Sequence, residues 1–447
     1  ELSKGDVEIT IDNRKSQPSP EDKQKGAPWL LNLGKLTISD VRYRMRMMPA
    51  IDSLDTHLTK AVLQNVSVNM ACNMVRTGYL GIDGISANYF TPTPEAVKKF
   101  GKVPDDTTKK SSDEPWAILA DSIRIRNVSA TYATRNAKPG NGFDPDYVQV
   151  SNVDIAVDSL LSRGSRLRIP LRKLSADERC GLGIRQLSGV FEINDTIMSA
   201  KGFRLNTLMS EISLDATINS RIFSLQETAT ADIDLRTDIS LEEVGKAMPS
   251  FRAMLRSVSR TKNAVADFKL HGTGREVEVE KLSLNIERIL RLSAKGNVNY
   301  PLDSLRANGS LKLDGRITGG ELVRRMAGLP PSMRIPSLYL HGNASYRRNL
   351  LAGNLTANTA KGSVHASGDW RISRNAYGGN VTFRSFDMRS IMPGGTIGKI
   401  NGKISAHGQG FNLFRMTAAA DATISNIEYD GMTYSDINLA AKLRRGQ

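Results

Sequence analysis

Residue types that could carry out acid–base or metal chemistry are few in this chain and stand far apart. Asp105–Asp106 and Asp113–Glu114 lie in a polar stretch beside Lys109 and Lys110, which is typical of a solvated loop rather than of a catalytic pair. The histidines occupy separate strand-like segments, and we expect each to be structural or solvated: His57, His271, His341, His365 and His407. The sequence indicates no catalytic site, and we expect no enzymatic activity.

Motifs for nucleotide, metal or redox chemistry are also missing from the sequence. The two cysteines, Cys72 and Cys180, have no metal-ligand spacing and are too few for a disulfide scaffold. Gly272-Thr273-Gly274 lacks the third glycine and the following helix of a dinucleotide site, and no HExxH, GxSxG or P-loop pattern occurs. We therefore expect neither a cofactor nor a bound metal.

The charge balance favours an anionic partner without choosing one. The 61 Lys and Arg residues exceed the 46 Asp and Glu residues, for a formal net charge of +15. Nucleic acid, anionic lipid or an acidic protein would fit that charge. Nucleic-acid proteins usually concentrate basic residues in a patch with interleaved aromatics, whereas here they are scattered through strand-like segments. We therefore expect no nucleic-acid partner.

The elements that would position any functional residue are β-strands. Period-two alternation of apolar and polar residues recurs along the chain, as in Val7-Glu8-Ile9, Ile123-Arg124-Ile125 and Val153-Asp154-Ile155. Such segments follow one another without intervening helices, which favours antiparallel pairing over a parallel α/β sheet. The sequence predicts an all-β protein: a long curved antiparallel sheet forming an elongated apolar-lined groove, with one or two short helices.

A first internal repeat consists of an apolar residue, any residue, Asn or Asp, Val or Ile, any residue, and an apolar residue. Within each copy the apolar spacing is three instead of two, so the inward-facing parity changes at the Asn or Asp. A β-bulge has this effect, and Asn and Asp tolerate the backbone angles that it requires. The copies are Ile38–Tyr43, Leu63–Val68, Ile125–Ala130, Val150–Ile155, Ile424–Tyr429 and Tyr434–Leu439.

A second repeat places glycine before a strand-like alternation and dominates the latter part of the chain. Many copies lie about ten residues apart, the length of one strand and one turn. We expect these glycines to let the sheet bend or turn tightly. The copies begin at Gly296, Gly309, Gly342, Gly353, Gly362, Gly368, Gly379 and Gly402.

The sequence predicts three segments: an N-terminal β-groove over residues 1–240, a β segment with two short helices over 241–330, and a Gly-repeat β-groove over 331–447. Stretches rich in Pro, Gly, Lys and Asp predict loop insertions at 16–28, 92–115 and 133–147. One helix should begin at the capping box of Ser240 and Glu243, carry Leu241, Val244, Met248, Phe251 and Leu255 on one face, and kink or break at Pro249. A second should run from 320 to 327.

The stretch from Ile400-Asn401-Gly402-Lys403-Ile404 to Gly410, with Ala422–Gly431 and Tyr434–Leu439, resembles AsmA-like and TamB (translocation and assembly module) proteins of the Bacteroidetes type. The resemblance is most specific over residues 290–445. It implies a periplasmic protein held to the inner membrane by an N-terminal anchor, working with an outer-membrane assembly barrel. The family is similar to chorein-type bridges, along whose apolar groove lipids move. The chain begins without an anchor, so we expect an internal segment.

Several functions remain open at this point. A curved sheet with an uncovered apolar face would conduct phospholipids or other envelope lipids between the two membranes, supporting outer-membrane biogenesis. The alternative is an assembly factor for outer-membrane proteins that acts by strand-edge pairing, and an adhesin, a β-solenoid or a closed β-sandwich also fits the alternation. For the lipid conduit, the predicted groove-lining residues are Leu311, Leu313, Leu338, Leu340, Trp370, Ile372, Val381 and Phe383.

Overall fold

A computed structural model describes residues 2–12, 30–48, 52–91, 115–134, 137–219, 221, 227–255, 263–326, 328–410 and 416–444. Its residues form 22 β-strands, three short α-helices and short 3-10 turns, which confirms the predicted all-β fold class. The chain divides into two compact units: residues 1–215 with 243–252, and residues 216–242 with 253–447. The predicted division into three segments stays a prediction.

Unit 1 is built from long strands that pair in chain order. Its strands are β1 (Leu2–Asp12), β2 (Leu30–Met48), β3 (Asp52–Asn69), β4 (Met74–Thr91), β5 (Ala117–Thr134), β6 (Tyr147–Arg163), β7 (Arg166–Glu178), β8 (Gly183–Ile193) and β9 (Ile197–Thr207). Strand β10 (Glu211–Asn219) begins in unit 1 and ends in unit 2.

Unit 2 is an antiparallel meander in which each strand pairs with the next. Its strands are β11 (Thr230–Ser240), β12 (Asn263–Thr273), β13 (Glu276–Ile286), β14 (Leu290–Asn299), β15 (Asn308–Ile317), β16 (Leu338–Arg347), β17 (Leu350–Thr359), β18 (Gly362–Arg371), β19 (Ala376–Asp387), β20 (Ile397–Gln409), β21 (Thr417–Tyr429) and β22 (Met432–Arg444). The sheet is curved and unclosed.

Two strand pairs in unit 1 depart from the predicted antiparallel arrangement. Strands β1 and β2 are parallel, and so are β4 and β5. A parallel pair needs a crossover connection of a dozen or more residues. The sequence supplies both crossovers, because the predicted insertion at 16–28 falls between β1 and β2 and the one at 92–115 falls between β4 and β5. Residues 16–28 and 92–114 themselves lie outside the described residues.

The third predicted insertion, 133–147, is shorter than expected. Strand β5 extends to Thr134 and β6 begins at Tyr147, so residues 137–146 form the described part of the connection. This connection is anchored at two points, because the Phe143 amide donates to the Lys246 carbonyl at 2.9 Å and the Arg179 guanidinium donates to the Gly140 carbonyl at 3.1 Å.

The Asn/Asp repeat marks left-handed backbone positions inside the strands. Five of its six Asn or Asp residues have φ between 52° and 57°: Asp40, Asn65, Asn127, Asn152 and Asp436. Asn426 is the exception to the prediction. In that copy the extra residue is Ser425, which the pairing with β20 skips between Ile424 and Asn426.

The left-handed positions of neighbouring strands lie in transverse lines across unit 1. The left-handed Asp40 of β2, Gly84 of β4 and Asn127 of β5 fall in one line with Thr59 of β3, which is not left-handed, and the strands pair regularly on both sides of this line. Gly84 has φ 81°, and the Asn127 side chain donates to Asp83 Oδ1 at 2.6 Å. Because these strands change parity along the same line, the apolar face continues across it.

The predicted helices form with the expected break. Helix α1 (Leu241–Ala247) and helix α2 (Pro249–Leu255) are separated at Met248, just before Pro249, as Pro requires. The Glu243 carboxylate, predicted to close a capping box, also accepts from Thr207 Oγ1 at 2.6 Å, from the Met209 amide at 3.1 Å and from the Ser210 hydroxyl. Helix α3 (Gly320–Met326) matches the second predicted helix.

The polar face of unit 2 carries charge pairs near its start and neutral ladders further on. Hydrogen bonds from Lys281 at 2.7 Å and Arg236 at 2.9 Å hold the pKa of Asp267 below its ordinary value. On β16 and β17, the Asn354 side chain donates to Asn343 Oδ1 at 3.1 Å instead. These residues alternate with apolar ones along the strands, so the opposite face is mostly apolar.

Buried apolar residues are few and small for the number of strands. Of the 20 buried hydrophobic residues in the described part of the chain, eight are alanines. The one fully buried large side chain there is Phe386, which forms a cluster with Ile400 and Ile424. Within the described residues, no helix has the length and apolar character needed to cross a membrane.

The left-handed positions should limit the choice of residue in unit 1. We expect Asn127→Val and Asn152→Val each to lower the free energy of unfolding by about 1–3 kcal/mol, because a β-branched residue at φ near 55° is strained. Urea titration followed by circular dichroism measures this. The control is Asn88→Val on β4, where the backbone is extended; equal stability of all three variants would show that the repeat is incidental.

Candidate functional site

A row of small residues crosses seven consecutive strands on the apolar face of unit 2. Each residue pairs directly with the next across the sheet. The row consists of Ala344, Gly353, Gly368, Gly379, Ala406, Ala420 and Ala441, from β16 to β22. With strands about 4.8 Å apart, the row extends for roughly 29 Å across the strands. We call this row the floor.

Larger apolar residues flank the floor on both sides, two residues away along each strand. One wall is an aromatic row in which Tyr346 pairs with Leu351, Leu351 with Trp370, and Trp370 with Tyr377. The other wall contains Leu355, Ala366, Val381, Ile404, Ala422 and Leu439 in successive strands. Floor and walls together form the trough, about 13 Å wide between residues four apart on one strand.

The three glycines of the floor lie where the neighbouring backbones leave no room for a Cβ atom. A Cβ atom on Gly368 would lie 2.6 Å from the Gly378 carbonyl oxygen, and one on Gly379 would lie 2.8 Å from the Ser367 carbonyl oxygen. Both distances are shorter than real Cβ contacts. On the opposite face of the same strand, a Cβ on Gly378 would meet nothing closer than a side-chain oxygen at 3.6 Å. The crowding is therefore confined to the trough side.

The trough contains a cavity of about 600 Å³ lined by residues of β15 to β20. A second cavity of about 570 Å³, lined by residues of β19 to β22, shares Tyr377 with the first. The Tyr377 ring lies over Gly408, whose Cβ position would be 2.7 Å from the Tyr377 hydroxyl oxygen. Tyr377 thus lines both cavities.

Leucines of the trough walls remain exposed, and the other wall residues are half-buried or exposed. Leu351 and Leu355 are 39% and 36% exposed although both lie on a strand in the middle of the sheet. Inner-face leucines of a sandwich or a filled solenoid would be nearly inaccessible. In the described residues, the predicted apolar face therefore forms an open surface at this point and not a closed core.

The eight predicted lining residues fall into three groups. Leu313, Trp370 and Val381 line the larger cavity. Leu311, Leu338, Leu340 and Phe383 share the apolar face but lie outside that cavity, and Phe383 packs in the Phe386 cluster with ring centroids 6.2 Å apart. The expectation that Ile372 points inward from a strand was wrong, since β18 ends at Arg371 and Ile372 begins a 3-10 turn.

The predicted lining residues include none of the floor and only two residues of the walls, Trp370 and Val381. Gly353, Gly368 and Gly379 were predicted only to let the sheet bend. Aligning the ten-residue glycine repeats as hairpins could have shown that these three glycines fall in one row. Leu351 and Tyr377 were missed because each precedes the glycine of its repeat by two residues.

Outside the trough, the histidines of the described residues lie apart from one another, and three of them contact a single polar side chain each. His57 contacts Asp40 Oδ1 at 2.9 Å, His271 contacts Asp232 Oδ1 at 2.5 Å, and His365 contacts Thr356 Oγ1 at 2.9 Å. The hydrogen bond to Asp232 raises the pKa of His271, and burial raises the pKa of the Cys180 thiol. In the part of the chain that the structure describes, no three His, Cys, Asp or Glu side chains are placed to hold a metal.

No family model, no curated protein and no solved structure matches this chain. The trough itself is therefore the feature of this chain that bears on its function.

The close approach of the floor strands can be tested with two neighbouring glycines, one on each face of β19. We expect Gly379→Ala to lower the free energy of unfolding by about 1–3 kcal/mol, because its methyl group forces two backbones apart. Gly378→Ala, one residue away on the polar face, should leave stability unchanged or slightly raised. Thermal and urea unfolding of both variants measure the difference; equal effects would refute a crowded floor.

Proposed function

We propose that unit 2 binds lipid acyl chains in the trough and lets them move along it, as part of lipid transport between the inner and outer membranes. The observation that carries the proposal is the open apolar track, with a floor of Gly and Ala and walls of exposed Leu and half-buried Trp and Tyr. No catalytic step is part of the proposal, and no cofactor is required.

The dimensions of the trough suit an acyl chain. The hydrocarbon core of a bilayer is about 30 Å thick, so one acyl tail spans roughly 15 Å. The floor from Ala344 to Ala406 crosses four strand spacings, or about 19 Å, and accommodates one such tail lying across the strands. Each buried CH₂ group contributes about 0.8 kcal/mol, so a sixteen-carbon tail gains on the order of 10 kcal/mol.

The uniformity of the track favours movement over storage. The floor presents backbone and methyl groups in strand after strand, so a tail meets similar surroundings as it advances by one strand. Directional polar groups that would hold the tail at one place lie on the opposite face. A tail is therefore held by hydrophobic burial, which is non-directional, with no single deep minimum.

The proposal extends to the cellular setting through the resemblance to AsmA-like and TamB proteins. It places the chain in the periplasm, with an inner-membrane anchor supplied by sequence outside this chain and an outer-membrane assembly barrel as partner. Its cargo would be phospholipids or other envelope lipids. The alternative, an assembly factor that pairs its strand edges with outer-membrane proteins, does not use the trough and should be indifferent to trough variants.

The first test places a charge inside the trough. We expect Leu355→Asp to reduce acyl-chain binding at least about tenfold, because an unpaired carboxylate against hydrocarbon costs several kcal/mol. The sheet should survive, since water reaches residue 355. Binding of a fluorescent fatty acid and the far-ultraviolet circular dichroism spectrum measure the two effects.

The control for this test is Asn358→Asp, an exposed position on the polar face of the same strand. It should bind the fatty acid like the unmodified protein. Unchanged binding by Leu355→Asp would refute the proposal, and outright unfolding would indicate a closed core.

The second test concerns Tyr377, which lines both cavities. We expect Tyr377→Ala to join the two cavities, so that fatty acids longer than about 15–20 Å gain affinity relative to shorter ones. Native mass spectrometry with a series of saturated fatty acids of increasing length measures the preference. Tyr339→Ala, an exposed tyrosine on the polar face, is the control. An unchanged length preference in Tyr377→Ala would show that the ring does not limit the chain.

A further inference from the structure

Two arginines lie directly across from each other on the face of unit 2 opposite the trough. Arg291 of β14 pairs with Arg316 of β15 in the strand register. Like charges that face each other in this way destabilise a sheet, because their Cβ atoms are only about 4.5–5.5 Å apart. Both side chains are exposed, and within the described residues neither forms an ion pair with an acidic group.

Two other pairs of basic residues face each other across the described strands of unit 2. Lys269 and Lys281 are compensated, because Lys269 pairs with the Glu280 carboxylate at 2.5 Å and Lys281 with the Asp267 carboxylate at 2.7 Å. The second pair, opposite each other on β14 and β15, lies four residues along the strands from the two arginines and is not compensated. Uncompensated basic pairs therefore occur on one strand pair, β14 with β15.

The two arginines, but not the uncompensated lysines, line a cavity of about 430 Å³ beside the β13–β14 hairpin. Arg288 of the hairpin adds a third guanidinium group to the lining, and Asn285 and Thr318 add an amide and a hydroxyl group. Among the described residues that line the cavity, Glu287 is the acidic one, and its carboxylate lies 3.5 Å from the Arg288 guanidinium. Three arginines against one glutamate leave two positive charges in excess.

Buried residues on the trough side fix the backbone around this cavity. Ile286 pairs with Leu290 and Leu290 pairs with Ile317, and all three are buried. The Ile289 carbonyl of the hairpin accepts a hydrogen bond from the Thr318 amide at 2.9 Å. The hairpin is therefore held against the end of β15, and the arginines project from a fixed framework, as a binding site requires.

The lining fits a phosphate group better than it fits a neutral ligand. Guanidinium groups bind phosphate oxygens in bidentate geometry, and an anion between Arg291 and Arg316 would relieve their repulsion. The Arg316 guanidinium lies 4.9 Å from the centroid of the Tyr339 ring, a cation–π contact that restricts its position. Ligand pockets commonly measure about 300–1,000 Å³, so the cavity has room for an organic group attached to the phosphate.

We propose that Arg288, Arg291 and Arg316 bind the phosphate group of an organic phosphate in this cavity. The site lies on the face opposite the trough, so the inference goes beyond the proposed function and does not depend on it. Two sources share this chemistry: a soluble phosphate ester, and the head group of a phospholipid at a membrane surface.

The test measures binding of glycerol 3-phosphate by isothermal titration calorimetry, with glycerate as the carboxylate analogue. We expect the unmodified protein to bind glycerol 3-phosphate at least about tenfold more tightly, because a phosphate group offers three acceptor oxygens and up to two negative charges. The double variant Arg291→Gln/Arg316→Gln should lose at least about tenfold in affinity for glycerol 3-phosphate, the loss that one charge-assisted hydrogen bond supplies.

The matched control is the double variant Lys295→Gln/Lys312→Gln, which removes the uncompensated lysine pair from the same two strands, about 13 Å away along them. It should bind glycerol 3-phosphate within about twofold of the unmodified protein at physiological salt, where charges more than about 8 Å apart are screened. Equal losses in the two double variants would indicate general attraction by a basic surface and overturn the assignment. Equal affinity of the unmodified protein for glycerate would do the same.

Co-sedimentation with vesicles of phosphatidylcholine and phosphatidylglycerol identifies the source of the phosphate. If the arginine variant loses vesicle binding at least about tenfold and the lysine control keeps it, the site takes a phospholipid head group. If the arginine variant loses glycerol 3-phosphate alone, the site takes a soluble ester. Both results support the inference, whereas binding of neither probe by the unmodified protein would overturn it and leave the trough untouched.

The repulsion between the two arginines can be measured without a ligand. In phosphate-free buffer, Arg291→Gln should raise the unfolding temperature by about 1–2 °C, because it removes a like charge directly opposite Arg316. Saturating glycerol 3-phosphate should raise the unfolding temperature of the unmodified protein and leave that of the arginine double variant unchanged. A lower unfolding temperature of Arg291→Gln in phosphate-free buffer would show that the arginines stabilise the strands by themselves, and would contradict the inference.

Discussion

The close approach of backbones beneath the trough is the constraint on which the rest of unit 2 depends. On β17, β18 and β19 the neighbouring backbones are so close on the trough side that a Cβ on Gly353, Gly368 or Gly379 would lie within 2.8 Å of a carbonyl oxygen. Glycine is the residue that permits this approach. The small floor residues also leave the cavity open between the walls.

In unit 1 the apolar face continues across left-handed backbone positions within the strands. Its strands are long, up to 19 residues in β2, and they interrupt their alternation at left-handed positions such as Asp40 and Asn127. A single strand that changed parity would turn its apolar residues toward water. Because neighbouring strands change parity along the same line, each interruption is matched by its neighbours, and the hydrogen-bonded pairing resumes beyond it.

The face of unit 2 opposite the trough carries polar residues that pair with one another. The face opposite the trough is closed by pairs such as Asn343 with Asn354 and Ser405 with Asn380, so it offers hydrogen bonds already satisfied.

The sequence alone determined the all-β class, the two helical segments with their break at Pro249, and five of the six left-handed positions. Each of these depends on a local signal: period-two alternation for the strands, proline for the helix break, and Asn or Asp at a parity change for the left-handed positions. It also placed Leu313, Trp370 and Val381 on the correct face. Only the tertiary structure decided the parallel pairs, the turn at Ile372 and the floor. These depend on register: which residue of one strand faces which residue of the next is set by long-range pairing, and spacing along one chain does not encode it.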